Sequence, residues 1–209
     1  MNIRQITVGS FQANCLIVWG GGSEAIVVDP GADAGAIRAV IDQNGLSVAA
    51  YMLTHGHMDH VSAIAELHAA LPAPVGISKF DLPWAFEESN QMPPFYPPPG
   101  RPATIERELA DGQEWNDAGL AYRVIATPGH TPGSVCFHFP AENVLLTGDT
   151  LFAGSVGRTD LPGGDSRAMN ESLGRLAALP EETTVYCGHG PKTTVAHERA
   201  NNFFLQAHL

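Results

Sequence analysis

The chain has 209 residues, of which 44% are hydrophobic and 16% charged, and its formal net charge is -11. This balance is typical of a globular protein with a real core, and without clustered Lys and Arg it disfavours binding to nucleic acid or to an anionic membrane. Three well-separated cysteines, no expected signal peptide and no apolar run of membrane-spanning length lead us to expect reduced thiols and a cytoplasmic location.

The first third alternates short apolar strands with turns and helical patterns. The apolar spacing over 34–44 and over 61–71 matches one face of a helix, so a helix is predicted for each segment. Strands are predicted over 5–8, 15–19, 25–28 and 48–53.

The segment 80–102 has a different composition, with seven prolines among aromatic residues such as Trp84 and Tyr96. Proline fixes φ and removes a donor, so an irregular loop is predicted rather than a helix or strand. Its aromatic content indicates packing over a surface cleft, and a role as a lid is left open.

The second half repeats the alternation of strands and helices. Strands are predicted over 120–126, 134–139, 144–147 and 184–187, and helices over 169–179 and 194–204. The repetition predicts an α/β protein of two similar halves, packed sheet against sheet with helices outside.

The stretch His55-Gly56-His57-Met58-Asp59-His60 places three histidines and an aspartate directly after a predicted strand. Buried imidazole and carboxylate groups need partners. His55 and His57 are two positions apart and so point to the same side of an extended backbone, while Asp59 is expected to cap the following helix. The donors of this loop are therefore predicted to converge on one small volume.

Three later loops share this design, because each presents one polar side chain just after an apolar strand and contains Gly or Pro. Coincidence is the alternative explanation, but all four loops follow strands. Imidazole suits zinc, iron and similar ions, and seven ligands exceed what one tetrahedral ion uses; they fit two ions about 3.5–4 Å apart with one shared carboxylate. The candidate ligands are His55, His57, Asp59, His60, His130, Asp149 and His189.

The order His-x-His-x-Asp-His, Pro-Gly-His-Thr-Pro-Gly, Gly-Asp and Gly-His resembles the metallo-β-lactamase superfamily over nearly the whole chain. The resemblance implies an αβ/βα four-layer sandwich, as a single catalytic domain over residues 1–209, with metals at one edge of the sheets. It also implies a metal-bound hydroxide as nucleophile, which Asp59 would help to orient. Two divalent ions are expected, with zinc as the first choice and iron or manganese as alternatives. The implied ligands are His55, His57 and His130 for the first ion, Asp59, His60 and His189 for the second, and Asp149 bridging both.

The segment 149–160 resembles glyoxalase II enzymes, which hydrolyse S-acylglutathione thioesters. Arg158 stands at the basic position that contacts glutathione in that group, and the Gly188-His189-Gly190-Pro191 loop is similar to its short bacterial members. From this resemblance we predict a thioester hydrolase with a small-molecule substrate, contacted by Arg158 and Lys192. The chain departs from the longer glyoxalase II enzymes in lacking the tyrosines that they carry at Asp160 and Pro191.

The main alternative is an iron-dependent glutathione persulfide dioxygenase, which shares the Gly-Arg-Thr-Asp turn. The Gly-Pro pair after His189 favours the hydrolase. A nuclease is disfavoured because no basic face is present, and a β-lactamase because Asp149 stands where another ligand is expected. A metal-binding module without catalysis is disfavoured by the complete ligand set.

Several other polar residues are predicted to have supporting or structural roles. Asp29 follows a strand and is predicted to hold the far nitrogen of a ligand histidine, which would fix its tautomer. Arg158 could equally form an ion pair with Asp160 or Asp165. Three other histidines are predicted to be structural: His68, His138 and His208.

Overall fold

Two six-stranded β-sheets face each other, and helices cover the outer side of each. A computed structural model describes residues 1–208. The first sheet and its helices come from the first half of the chain. Its strands, in chain order and in spatial order, are β1 (Asn2–Val8), β2 (Ala13–Trp19), β3 (Glu24–Val28), β4 (Ser47–Met52), β5 (Val75–Ile77) and β6 (Arg107–Glu108), with helices α1 (Ala34–Gln43), α2 (Met58–Val61) and α3 (Ile64–Ala70).

The second sheet comes from the second half, in the spatial order β14-β13-β10-β9-β8-β7, and a small hairpin of β11 and β12 lies beside it. Its elements are β7 (Glu114–Asp117), β8 (Leu120–Ala126), β9 (Val135–Phe139), β10 (Val144–Gly148), β11 (Leu151–Phe152), β12 (Ser155–Val156), α4 (Ser166–Ala177), β13 (Thr184–Cys187), β14 (Thr193–Thr194), α5 (Val195–Asn201) and α6 (Phe203–Gln206).

Three buried apolar clusters hold these layers together. The central cluster joins the inner faces of both sheets, with Met52 from β4 and Phe137 from β9 among its members. A second packs α1 and α3 on the outer face of the first sheet, and a third packs α4 on the second sheet. The four-layer αβ/βα sandwich expected from the sequence is confirmed.

The strand register brings the ends of four strands to the same edge. β3 pairs with β4 in parallel and sets Val28 beside Met52, while β10 pairs with β13 in parallel and sets Gly148 beside Cys187. β8 runs antiparallel to β9, and β9 antiparallel to β10, so the chain leaves β8 and β10 in the same direction. The loops that carry the candidate ligands therefore leave the two sheets side by side.

Two helix predictions were wrong in detail. The helix predicted over 61–71 is divided into α2 and α3, because Ala63 donates its backbone N–H to Pro30 across the fold at 3.0 Å instead of continuing α2. His57, not Asp59, is the N-cap residue of α2, and Asp59 lies within its first turn. The helix predicted over 194–204 is likewise divided at Asn202, whose side chain caps α6.

Within residues 1–208, no helix combines the length and apolar character needed to cross a bilayer.

Candidate metal centre

All seven candidate ligands meet at the sheet edge where β4, β8, β10 and β13 end. His55 and His57 lie in the loop after β4, and Asp59 and His60 on α2. The other three follow the later strands one by one: His130 after β8, Asp149 after β10 and His189 after β13.

A first trio consists of His55, His57 and His130, whose nearest nitrogens all lie within 4.8 Å of one another. His57 Nδ1 lies 2.9 Å from His130 Nε2, and the His55 ring stands edge-on to both other rings. Three imidazoles thus face one point, an arrangement that suits a borderline cation.

A second trio consists of Asp59, His60 and His189, also within 4.8 Å of one another. His60 Nε2 lies 3.3 Å from His189 Nε2, and Asp59 Oδ2 lies 3.3 Å from the same His189 atom. This trio therefore combines two imidazoles with a carboxylate.

Asp149 lies between the two trios. Its Oδ2 is 3.5 Å from His130 Nε2 of the first trio and 3.5 Å from His189 Nε2 of the second, while its Oδ1 is 3.3 Å from His60 Nε2. Gly188 permits this position, because a Cβ there would come within 2.2 Å of Asp149 Oδ1. One carboxylate can thus serve both halves of the site.

Hydrogen bonds outside the trios fix which histidine nitrogen faces the centre. His130 Nδ1 donates to the Arg158 carbonyl oxygen at 2.7 Å, which leaves the lone pair of Nε2 facing the centre, near Asp149 and His57. His60 Nδ1 lies 3.1 Å from Asp29 Oδ2, so its Nε2 faces inward as well. Such partners orient a ligand imidazole and raise its basicity.

His55 is oriented through a short chain of hydrogen bonds. The Thr54 hydroxyl donates to Asp29 at 2.6 Å, so it accepts from His55 Nδ1 at 3.0 Å and leaves the His55 Nε2 lone pair free. Asp29 thus positions two of the histidines, as predicted for it. It lies close enough to His55 and His60 to act as a ligand itself, but its oxygens already accept from Thr54 and His60.

Two buried polar atoms at the centre make no hydrogen bond with any described residue: His55 Nε2 and Asp149 Oδ1. Leaving such atoms unpaired is costly, and both point at the volume that the trios surround. A pair of divalent cations would satisfy both atoms. The donor set, five imidazoles and two carboxylates, also matches the chemistry of zinc, iron or manganese, so the residues fit the group that the sequence implied.

The electrostatic environment differs between the trios. In the first, burial and then the neighbouring His130 lower the pKa of His57 to about 3, and burial lowers the pKa of His55. In the second, burial alone would lower the pKa of His60, but Asp149 and Asp59 raise it to about 10. Burial would raise the pKa of Asp59, but the nearby His60 and His189 lower it. The second half of the site therefore favours positive charge more strongly.

Asp81 is a site residue that the sequence reasoning missed. This fully buried carboxylate accepts from the Gly56 N–H at 2.9 Å, the Thr131 hydroxyl at 2.7 Å and the Gly133 N–H at 2.7 Å. It therefore joins the loop of His55 and His57 to the loop of His130. Burial outweighs these hydrogen bonds and raises the pKa of Asp81. Only its place in the aromatic segment 80–102 could have drawn attention to it.

Asn14 was also missed, and it performs a similar task for His189. Its side-chain amide donates to the Cys187 carbonyl at 3.0 Å and to the Gly190 carbonyl at 2.9 Å. A strand residue of the first sheet thus holds the ligand loop of the second. Nothing in the local sequence distinguishes Asn14 from an ordinary strand residue.

The two predicted substrate contacts lie outside the cluster of seven. Arg158 forms a bidentate ion pair with Asp160, at 2.7 and 2.8 Å, on the exposed surface, and this lowers the pKa of Asp160 to about 2. Its backbone carbonyl, however, holds His130. Asp165 is not its partner but caps α4. The Lys192 ammonium lies over the Tyr186 ring at 5.6 Å and lines a separate surface depression with His197.

Comparison with known proteins decides the family. The family model described as the metallo-β-lactamase superfamily matches residues 8–189. The chain belongs to this superfamily. The match includes every residue of the two trios and Asp149.

Three proteins show considerable similarity to the chain. Hydroxyacylglutathione hydrolase GloC of Haemophilus influenzae is 32% identical, with 99% of each chain covered. The crystal structure of BLEG-1, described as a B3 metallo-β-lactamase, is 33% identical and superposes with a TM-score of 0.91, covering 98% of this chain and 99% of that one. The structure of TTHA1623 in a di-iron-bound form is 39% identical, with a TM-score of 0.86 and coverage of 97% and 100%. Members of this superfamily with nearly the same length and fold thus carry different described activities.

Proposed function

We propose that the protein is a binuclear metal-dependent hydrolase that cleaves a thioester, such as an S-acylglutathione. The observation that carries this proposal is the position of Asp149, whose two oxygens face both trios at 3.3–3.5 Å. A site with one ion would not need a carboxylate between two separate sets of ligands.

The first ion would be held by His55, His57 and His130, the second by Asp59, His60 and His189, with Asp149 between them. When bound, the two ions would supply a water whose pKa is lowered to about 7 and would polarise the substrate carbonyl. A similar structure is described as di-iron-bound, so iron stands beside zinc and manganese as a candidate.

The protein's own groups would keep the reacting atoms in place. Asp29 and the Arg158 carbonyl hold the ligand imidazoles in one tautomer, which fixes the direction of their lone pairs. Asp59 stays ionised and can accept a hydrogen bond from the attacking water. The reaction forms a carbon–oxygen bond with water and breaks the carbon–sulfur bond. The leaving thiolate takes up one of the two water protons to give the thiol, and the other passes to solvent as the acid ionises to a carboxylate.

The similarity to GloC, described as a hydroxyacylglutathione hydrolase, supports a thioester substrate. Arg158 is the proposed contact for the anionic thiol portion, because its guanidinium is exposed. Lys192 remains a weaker candidate, since it lies over Tyr186. A small-molecule substrate in the cytoplasm, without nucleic acid, remains our prediction.

One experiment separates the competing chemistries. Purified protein is analysed for metal content and assayed in parallel for S-lactoylglutathione hydrolysis, oxygen uptake with glutathione persulfide, and hydrolysis of a β-lactam. We expect two metal ions per chain and thioester cleavage that disappears on chelation and returns with metal. Oxygen uptake with a single iron would establish the dioxygenase instead, and preferential β-lactam cleavage would align the chain with BLEG-1.

A further inference from the structure

A cavity of about 490 Å³ opens directly beside the first trio. His57 and Met58 form one side of it, and the irregular segment 80–102 and the loop 161–163 form the others. The Trp84 ring packs against the His57 ring, with centroids 5.4 Å apart. The apolar side chains that line the cavity are Met58, Phe80, Trp84, Met92, Pro132, Leu161 and Pro162.

The described residues that line this cavity include no Asp, Glu, Lys or Arg. Asn90 is buried, and its amide nitrogen is already used, donating to the Gly56 carbonyl at 2.8 Å and the Ala85 carbonyl at 2.6 Å. A charged ligand group packed against these side chains would lose hydration without a charged lining residue to pair with. The cavity therefore selects an uncharged group.

Two large apolar side chains remain exposed at the mouth of the cavity: Phe80 is 60% exposed and Met92 is 44% exposed. Covering such side chains with an apolar ligand is favourable, and a cavity of this volume holds a group far larger than a short hydroxyacyl. Arg158, whose backbone carbonyl holds His130, lines a different depression, with Thr159, Asn170 and Phe204. The acyl and thiol portions of a thioester would thus meet chemically different surfaces.

We propose that this cavity is the acyl-binding site and that the preferred substrates are thioesters with an uncharged, apolar acyl group, aliphatic or aromatic. The inference rests on the proposed thioester hydrolysis and specifies its substrate class. The scissile carbonyl would lie near His57, with the acyl group between Trp84 and Leu161 and the thiol portion directed toward solvent.

The test uses the metal-loaded protein and a series of thioesters of one thiol, glutathione, with acetyl, D-lactoyl, butyryl, hexanoyl and phenylacetyl groups. Each buried methylene is expected to raise kcat/KM by about threefold, so hexanoyl and phenylacetyl should exceed lactoyl by more than about tenfold. Equal or higher kcat/KM for lactoyl would overturn the proposal.

A charge placed in the wall sharpens this test. Met92→Asp adds a carboxylate to the cavity while its backbone hydrogen bonds with Tyr96 stay intact. We expect the ratio of kcat/KM for phenylacetyl over acetyl to fall by about tenfold or more, because the new carboxylate disfavours the apolar ring. Phe203→Asp is the matched control, because Phe203 is 81% exposed and outside the cavity, and its ratio should stay at the wild-type value. An unchanged ratio in Met92→Asp would reject the assignment.

Binding without turnover distinguishes failure of this inference from failure of the proposed function. S-(3-phenylpropyl)glutathione is a thioether that cannot be hydrolysed, and calorimetry measures its affinity against glutathione alone. The proposal expects tighter binding, a negative heat-capacity change, and loss of both in Met92→Asp. If no thioester is cleaved but this pattern holds, the cavity assignment stands and the hydrolase proposal fails. If thioesters are cleaved but the thioether binds no better than glutathione, the cavity assignment fails alone.

Discussion

Charged side chains connect the two sheets at two places, one partly buried and one buried, and the two places balance their charge differently. At the edge of the sandwich, Arg107 on β6 forms a bidentate ion pair with Asp117 on β7, at 2.7 and 2.9 Å, and Tyr122 donates to the same carboxylate at 2.7 Å. The guanidinium also lies over the Trp115 ring at 4.5 Å. This cluster is complete, because each charge has its partner within the protein.

The candidate metal centre balances its charge in the opposite way. It gathers five histidines and the carboxylates of Asp59 and Asp149, yet His55 Nε2 and Asp149 Oδ1 have no hydrogen-bond partner among the described residues. A buried ion pair needs nothing further, whereas a buried ligand set needs cations from outside. We therefore expect substitutions at the first place to change stability, and substitutions at the second to change metal binding and activity.

The largest effect is expected for Asp149→Asn, since this carboxylate serves both trios. Replacing one carboxylate oxygen by an amide nitrogen should lower the bound metal from two ions toward one or none. Removing a residue that only hydrogen-bonds to a ligand costs up to about 100-fold in activity, so removing a proposed ligand should lower thioester hydrolysis by more than that. Metal analysis and initial rates measure both. His57→Ala should abolish activity but retain metal at the second trio.

Asp42→Asn is the control for this substitution, because Asp42 is exposed and, among residues 1–208, its carboxylate pairs only with Arg38, at 3.6 Å. It should keep both ions and full activity. Two ions and a wild-type rate in Asp149→Asn would falsify the shared-ligand role.

Arg107→Met tests the self-contained cluster. It leaves the partly buried Asp117 carboxylate without its cation, and we expect a loss of about 2 kcal/mol in the free energy of unfolding, between the values for exposed and fully buried pairs, with unchanged metal content. Burial alone would raise the pKa of Asp117, but hydrogen bonds from Arg107 and Tyr122 lower it below 3.8. A lowered folded-state pKa stabilises above the unfolded value and is lost as the pH falls through the folded value.

The difference between wild type and Arg107→Met should therefore be largest near neutral pH and shrink below about pH 3.8. Urea unfolding with chelator in all samples measures it without interference from metal loss. In an Asp117→Asn background, Arg107→Met should show no such pH dependence. A constant difference from pH 7 to 3 would show that the ion pair is not the source.

An intermediate effect is expected for Asp81→Asn, which weakens the link between the loops of the first trio. The metal affinity of that trio should fall by about 10- to 100-fold, and kcat should fall with it, while KM changes little. Isothermal titration of the chelated protein with zinc, beside steady-state kinetics, measures both. Asp117→Asn is the matched control at a partly buried, hydrogen-bonded aspartate; it should lower stability and leave zinc affinity unchanged. The reverse pattern would show that Asp81 only stabilises the fold.

The contrast between Asp149 and Asp81 also shows which parts of the site could be predicted from the sequence. The meeting of the seven candidate ligands was predictable because each lies in a short motif after an apolar strand, and strands that end at one edge bring such loops together. Asp81 and Asn14 were not predictable, since their partners lie 25 to 176 residues away and no local pattern marks them. The division of the helix predicted over 61–71 was missed for the same reason, because the Ala63 N–H finds its acceptor on Pro30.

The smallest effect is expected for Arg158→Ala, which separates the two roles of this residue. Its carbonyl holds His130 and is retained, so kcat should not change; its guanidinium is exposed and pairs with Asp160. If the guanidinium attracts the anionic thiol portion, KM for an S-acylglutathione should rise by about two- to fivefold, and the rise should shrink at high salt. Asp160→Asn should have the opposite effect, because it frees the guanidinium.

Arg167→Ala, which removes an exposed arginine paired with Glu171, is the control. A KM that is the same in wild type and Arg158→Ala would limit this residue to its carbonyl, and the anionic substrate would then bind an acidic protein without help from this cation.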